Sequence, residues 1–234
     1  MTFGATTVID RLDFEVRPGE TFGLLGSNGS GKTTTLRALL GLLPATAGSL
    51  TIKGEPYRPG RIRVGYLPEE RGLYKRESVI DVMTYFGRLK GLAPQAAADW
   101  SRGWLEQMDL ADKAKVALGK LSGGQQQKVQ LGVTIMDAPE LLILDEPTKG
   151  FDPVNQQLLM DIIAEQQSAG TTLILVSHDM DQVQRLADRA LLLKDGARRA
   201  YGTIDEIRAE FGGASLHEVF LEVYTNASGE GSSR

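Results

Sequence analysis

Short, uniformly apolar runs alternate with stretches of helical period along most of this chain, an alternation that predicts βαβ units around a largely parallel sheet. Residues 21–25 (TFGLL) read as a buried strand, and 141–144 (LLIL) and 173–176 (LILV) are uniformly apolar, as expected of central parallel strands covered on both faces. The first is followed by a glycine-rich loop and a predicted helix over 32–43. Residues 12–16 (LDFEV) alternate apolar and polar ahead of a turn at Arg17-Pro18-Gly19-Glu20, so the N-terminal region is expected to be antiparallel β. Periods near 3.6 predict helices over 79–92, 95–108 and 125–136, with almost no strand signal between 78 and 138. A helix to about 187, short strands over 190–194 and 197–201, and two small helices should follow.

That pattern divides the chain into an N-terminal part of an α/β core (1–77), an inserted helical subdomain (78–138), the rest of the core (139–212), and a C-terminal helix with a polar, disordered tail (213–234). Composition narrows the function classes. A net charge of −4 over 234 residues disfavours a nucleic-acid-binding domain, so no nucleic-acid partner is expected. The absence of cysteine removes disulfides and thiolate metal sites. No stretch is apolar over the length a membrane span needs, and the N-terminus lacks the apolar core of a signal peptide, so a cytoplasmic chain is expected.

The chemistry begins at Gly26-Ser27-Asn28-Gly29-Ser30-Gly31-Lys32-Thr33, which fits G-x-x-x-x-G-K-[ST] between a strand and a helix. Such a loop turns backbone N–H groups toward phosphate oxygens, and the helix that follows, opening with Lys32, Thr33 and Thr34, adds the positive end of its dipole. Lys32 is placed to meet the β and γ phosphates and the Thr33 hydroxyl to ligate Mg²⁺, which makes the expected fold a P-loop NTPase core. The strand at 141–144 ends in Asp145-Glu146-Pro147. Two acids after a strand ordinarily mark a solvated loop. In an open α/β sheet, however, ligands collect beyond the carboxyl ends of strands. Asp145 is therefore read as a Mg²⁺ ligand and Glu146 as the base that polarises the attacking water.

Between these elements lies Leu121-Ser122-Gly123-Gly124-Gln125. Ser122 suits a helix N-cap, and the glycines leave N–H groups exposed at a helix start, a second anion-binding feature. LSGGQ closely resembles the signature of the ATP-binding-cassette (ABC) ATPases, and with GSNGSGKT and LLILDEP it covers most of the chain in that family's order. The resemblance implies that two cassettes pair head to tail, as a homodimer or with a related cassette, the signature of one (Ser122, Gly123, Gly124, Gln125) closing on ATP held by the other. Hydrolysis would then depend on dimerisation, an isolated monomer binding ATP but turning it over poorly. It further implies that Phe3 stacks on adenine, that His178 contacts the γ-phosphate, and that Asp152 belongs to the loop facing the partner cassette. His217, on an amphipathic helix, reads as structural.

Two positions depart from the family pattern. Glu69 stands where the family has a glutamine that senses Mg²⁺ and the attacking water, and Lys149 replaces a small hydroxyl residue in the loop before Asp152. A carboxylate at 69 can still meet Mg²⁺ or water, at the cost of added negative charge near a triphosphate. Lys149 either tunes the dimer interface or is solvated. The stretch at 65–92, GYLPEERGLYKRESVIDVMTYFGRLKGL, resembles single-cassette exporter ATPases, so a separate transmembrane permease docked on the helical subdomain is the expected partner, with the chain peripheral at the inner face of the membrane. Arg71, Lys75 and Arg76 read first as a solvated charge run. The alternative is a soluble ABC ATPase of translation or DNA maintenance. It is disfavoured because the interval between phosphate loop and signature carries no heptad run and the chain has neither a second cassette nor a charged linker. A kinase-like or GTPase use of the loop leaves LSGGQ and His178 unexplained.

Overall fold

The computed structural model describes residues 1–3, 6–70, 72–149 and 151–225, and they form two compact units: Met1–Ile62 together with Thr172 onward, and Arg63–Thr171. The expected α/β class is present, with mostly parallel pairing. The disordered tail expected past residue 225, and Arg71, lie outside the described residues.

In the first unit the centre is β3 (Thr21–Leu25), buried at every position and flanked on both sides. It pairs in parallel with β8 (Thr172–Ser177), Thr21 opposite Leu173, and with β9 (Arg189–Lys194), Phe22 opposite Arg189. β10 (Ala197–Thr203) closes the edge antiparallel to β9. The apolar runs inside β3 and β8, Leu24–Leu25 and Leu173–Val176, are what placement inside the sheet favours. α1 (Lys32–Leu39) follows β3 and ends before the expected residue 43, because the chain doubles back and the Leu42 N–H donates to the Arg37 carbonyl at 2.8 Å. α6 (Met180–Leu186), α7 (Ile204–Glu210) and α8 (Leu216–Thr225) complete this unit, with α8 against α6, α7 and β9.

The antiparallel N-terminal part exists, but not where the alternation placed it. The ladder is β1 (Thr2–Phe3) against β2 (Thr6–Thr7). Residues 12–16 alternate in burial yet join no ladder. Phe14 instead stacks on Phe22 with centroids 5.5 Å apart, while the Asp13 and Glu15 carbonyls accept from Arg198 and Arg189. A period of two reports one wet and one dry face, which an extended segment lying on a side-chain layer also has. The hairpin β4 (Thr51–Ile52) and β5 (Glu55–Pro56) is too short to show a period.

In the second unit β6 (Val64–Leu67) pairs in parallel with β7 (Leu141–Asp145), Leu67 opposite Leu144. Between residues 78 and 138 the named elements are helical: α2 (Val79–Leu89), α3 (Pro94–Gln107), two short 3₁₀ turns and α4 (Gly123–Ile135). α2 packs on α3, and the Trp104 indole of α3 lies against Gly132 of α4, donating to the Lys128 carbonyl at 3.0 Å. α5 (Pro153–Ser168) ends the unit. Among the described residues no helix is long and apolar enough to cross a membrane.

Candidate functional site

In the first unit, β3 delivers the chain into the loop at Gly26, whose φ of 155° and surroundings admit only glycine. A Cβ there would stand 2.6 Å from the Leu193 carbonyl and 2.3 Å from Ser30 Oγ. Gly31 (φ 109°) starts α1, where a Cβ would meet Ile9 at 2.4 Å. Between them the Ser30 N–H closes a turn on the Ser27 carbonyl at 3.1 Å. Lys32 curls back over the loop it follows: its buried ammonium donates to the carbonyls of Gly26 at 2.7 Å and Ser27 at 3.0 Å. Thr33 is exposed and Thr34 half-buried on the first turn of α1. Asn28 and Gly29 form the open rim.

Ser30 Oγ is buried with no hydrogen-bond partner, an arrangement that costs about 1–3 kcal/mol unless something supplies one. With backbone curled by two obligate glycines, a lysine across its mouth and a helix start behind it, this loop fits a phosphate group. His178 is exposed one residue beyond β8, as expected, and Asp179 caps α6 by accepting from the Gln182 N–H at 3.0 Å. The Phe3 backbone lies in β1, but its side chain, and so the expected adenine stacking, falls outside the described residues.

In the second unit β7 carries Asp145 and Glu146 to its carboxyl end, both buried. Tyr66 of β6 points its hydroxyl at Asp145 Oδ2 at 3.5 Å. Glu146 has φ of 48°, a left-handed conformation that costs a non-glycine residue about 1–3 kcal/mol. Its carbonyl accepts from the Lys149 N–H at 3.0 Å, closing the turn that leads to Asp152. Nothing in the pattern LLILDEP foretells that strain. Backbone outliers of this kind concentrate at working sites.

The two departures from the family pattern are bonded to each other. Lys149 Nζ meets Glu69 Oε1 at 2.5 Å across 80 residues of sequence, with the two side chains 61% and 43% exposed. The Lys149 ammonium is held above its ordinary pKa, first by that hydrogen bond and the charge of Glu69, then by the charges of Glu146 and Glu70. Neither residue alone signals the pairing, since a sequence shows charges but not which distant loops meet.

Ser122 is the N-cap of α4 in a full capping box: its Oγ accepts from the Gln125 N–H at 3.3 Å, and the Gln125 side chain accepts from the Ser122 N–H at 3.0 Å. Among the described residues outside its own stretch of helix, the nearest atom to a Cβ on Gly124 would be one of Phe151, at 3.7 Å. Unlike Gly26 and Gly31, it is not demanded by the chain's own packing. Asp152 caps α5, accepting from the Asn155 N–H at 2.9 Å and Nδ2 at 2.7 Å. Those contacts, the backbone one first, hold its carboxyl below the usual range. His217 is exposed on α8.

A family model described as ABC transporter matches residues 9–149. An uncharacterised ABC transporter ATP-binding protein of Methanocaldococcus jannaschii is 44% identical over 88% of this chain and 75% of its own length. The Nod factor export ATP-binding protein I of Cupriavidus metallidurans is 37% identical over 93% and 73%, and a linearmycin resistance ATP-binding protein of Bacillus subtilis 32% over 92% and 70%. Among solved structures, one titled as the ATP-binding subunit of an ABC transporter superposes with a TM-score of 0.86 at 30% identity, covering 95% of both chains.

Proposed function

This chain belongs to the ABC transporter family as an ATP-binding, ATP-hydrolysing subunit, and we propose that its ATPase cycle drives export through a separate membrane permease. The observation that carries the site reading is the phosphate loop, where Gly26, Gly31 and Lys32 fix a cradle around an orphaned serine hydroxyl. Lys32 and backbone N–H groups of the loop beyond Ser27, over residues 28–34, bind the triphosphate. Thr33 and Asp145 are the oxygens offered to Mg²⁺, with Glu69 as a further candidate. Mg²⁺ would neutralise phosphate charge there, a role it fills with one or two protein oxygens completed by phosphate and water.

Glu146 takes the attacking water's proton, its carboxylate aimed by the strained turn after β7, and His178 contacts the γ-phosphate. The glycine at 124, unneeded by the fold of its own chain, leaves room for another molecule at the start of α4. This supports closure of Ser122–Gln125 over ATP held by a second cassette, with Asp152 on the facing loop. Substitution of Glu146 by Gln tests the assignment: ATP still binds while turnover is lost. Unchanged steady-state hydrolysis in that variant overturns it.

The permease has a candidate seat on α2. Tyr74, Tyr85 and Leu89 are 55%, 45% and 64% exposed, and Tyr74, Tyr85 and Phe86 form one aromatic cluster with centroids 5.5–5.9 Å apart. Exposed apolar clusters of this kind mark interaction sites. The name of the Nod factor export relative supports export as the direction. Co-purification from membranes with a multi-span permease, abolished by charged substitutions at Tyr85 and Leu89, is the expected result. Recovery with ribosomes or DNA instead would count against transport.

A further inference from the structure

The C-terminal helix reaches the phosphate loop. Leu216 and Val219 anchor α8 in the first unit, and its last turn presents Tyr224, stacked on Phe220 at 4.4 Å. The Tyr224 hydroxyl donates to the Leu193 carbonyl at 2.5 Å, at the end of β9, and accepts from the Ser27 N–H at 2.8 Å. Lys194 secures the same turn, its buried amine donating to the Val223 carbonyl at 2.8 Å and lying 5.2 Å from the centre of the Tyr224 ring.

The Ser27 N–H and the Gly26 C=O belong to one peptide group, which is planar and points the two in opposite directions. On the oxygen side Lys32 Nζ donates to the Gly26 carbonyl, and on the nitrogen side the Ser27 N–H donates to the Tyr224 hydroxyl. The plane that holds the lysine is therefore clamped from its far edge by a residue almost two hundred positions away. Hydrogen bonds in series through a peptide reinforce each other. At the loop's other end the Gly196 N–H donates to the Ser30 carbonyl at 3.0 Å, so β9 and its turn brace one end by backbone and Tyr224 braces the other by a side chain.

We propose that Tyr224 is a positioning residue for ATP binding: its hydroxyl fixes the Gly26–Ser27 peptide, and through that carbonyl the Lys32 ammonium, in the attitude that receives a triphosphate. The order of the C-terminal helix and the affinity of the phosphate loop are thereby coupled in one chain. This rests on the ATP-binding reading of the loop. Tyr224→Phe removes one oxygen and leaves ring packing in place, so the variant folds.

Equilibrium titration of the full chain with a fluorescent ATP analogue, in wild type, Tyr224→Phe, Lys32→Ala and the double variant, tests it. Tyr224→Phe should weaken binding about 3- to 10-fold, the worth of one hydrogen bond, with kcat at saturating ATP held within about twofold. In the Lys32→Ala background the same change should have no further effect, because the group it positions is gone. Equal affinity of wild type and Tyr224→Phe overturns the proposal, as does an equal loss on both backgrounds. Failure of wild type to bind the analogue would instead overturn the ATP-binding reading itself.

Discussion

The phosphate loop and the acidic strand end are two solutions to holding a working group at the carboxyl end of a parallel strand. At the loop the backbone itself is the functional part, so its geometry is enforced from all sides. Gly26 and Gly31 have no room for a methyl group, and the Gly26–Ser27 peptide is gripped at both its oxygen and its nitrogen. At the end of β7 the part proposed to act is a side chain, and the backbone that presents it is bent against its preference, with Glu146 at φ 48°. Around it the supporting contacts are between side chains, Glu69 with Lys149 and the helix cap Asp152 with Asn155 of α5. The first construction tolerates almost no substitution of its frame. On the proposed reading the second depends more on the side chain it presents than on its exposed surroundings.

The sharpest break of that comparison is chemical. Glu146→Gln should lower turnover by about 10²–10⁴-fold, the usual worth of a positioned base, while leaving ATP affinity and melting temperature near wild type. Gly26→Ala is the counterpart in the loop. A Cβ 2.6 Å from a backbone carbonyl at positive φ should cost about 3 kcal/mol or more of stability, read by denaturant unfolding, and abolish ATP binding with it. Gly124→Ala separates the two kinds of glycine: the chain should remain as stable as wild type or gain up to about 1 kcal/mol, while hydrolysis in the assembled dimer falls at least tenfold. A matching loss of stability at 124 would erase the distinction.

The smallest effect is expected at the Glu69–Lys149 pair. Exposed ion pairs contribute little to folding, so its role is better read in pH dependence. The Lys149 pKa is raised in the folded chain, so its contribution is fully present below the ordinary lysine value of about 10.4 and is lost as pH rises through the folded value. Melting temperatures of wild type and of the Glu69→Gln, Lys149→Ser double variant should therefore converge on that alkaline flank.

How much of this was legible in the sequence follows from the same division. The loop was, because a backbone cradle demands glycines at fixed spacing and a lysine at its end, and the buried strands were, because two covered faces leave only apolar residues. The capping role of Ser122 was visible for a local reason: the residue and the N–H it accepts from are three positions apart. What escaped is what distance or context decides. Residues 12–16 alternate as a strand does, yet lie on Phe22 and β10 without a ladder. β6 is four residues with a glycine inside, too brief for a period. The Glu69–Lys149 bond and the Tyr224 contact with Ser27 join segments whose meeting no local pattern encodes.

With Glu146 as the proposed base, its left-handed turn sets stability and turnover at odds on a single residue. Glycine or asparagine would sit there at greater ease than glutamate. A mutant library screened only for thermal resilience would accordingly enrich replacements at 146 and deliver hardier proteins that no longer hydrolyse ATP. Any campaign to toughen this subunit therefore has to select for catalysis at the same time.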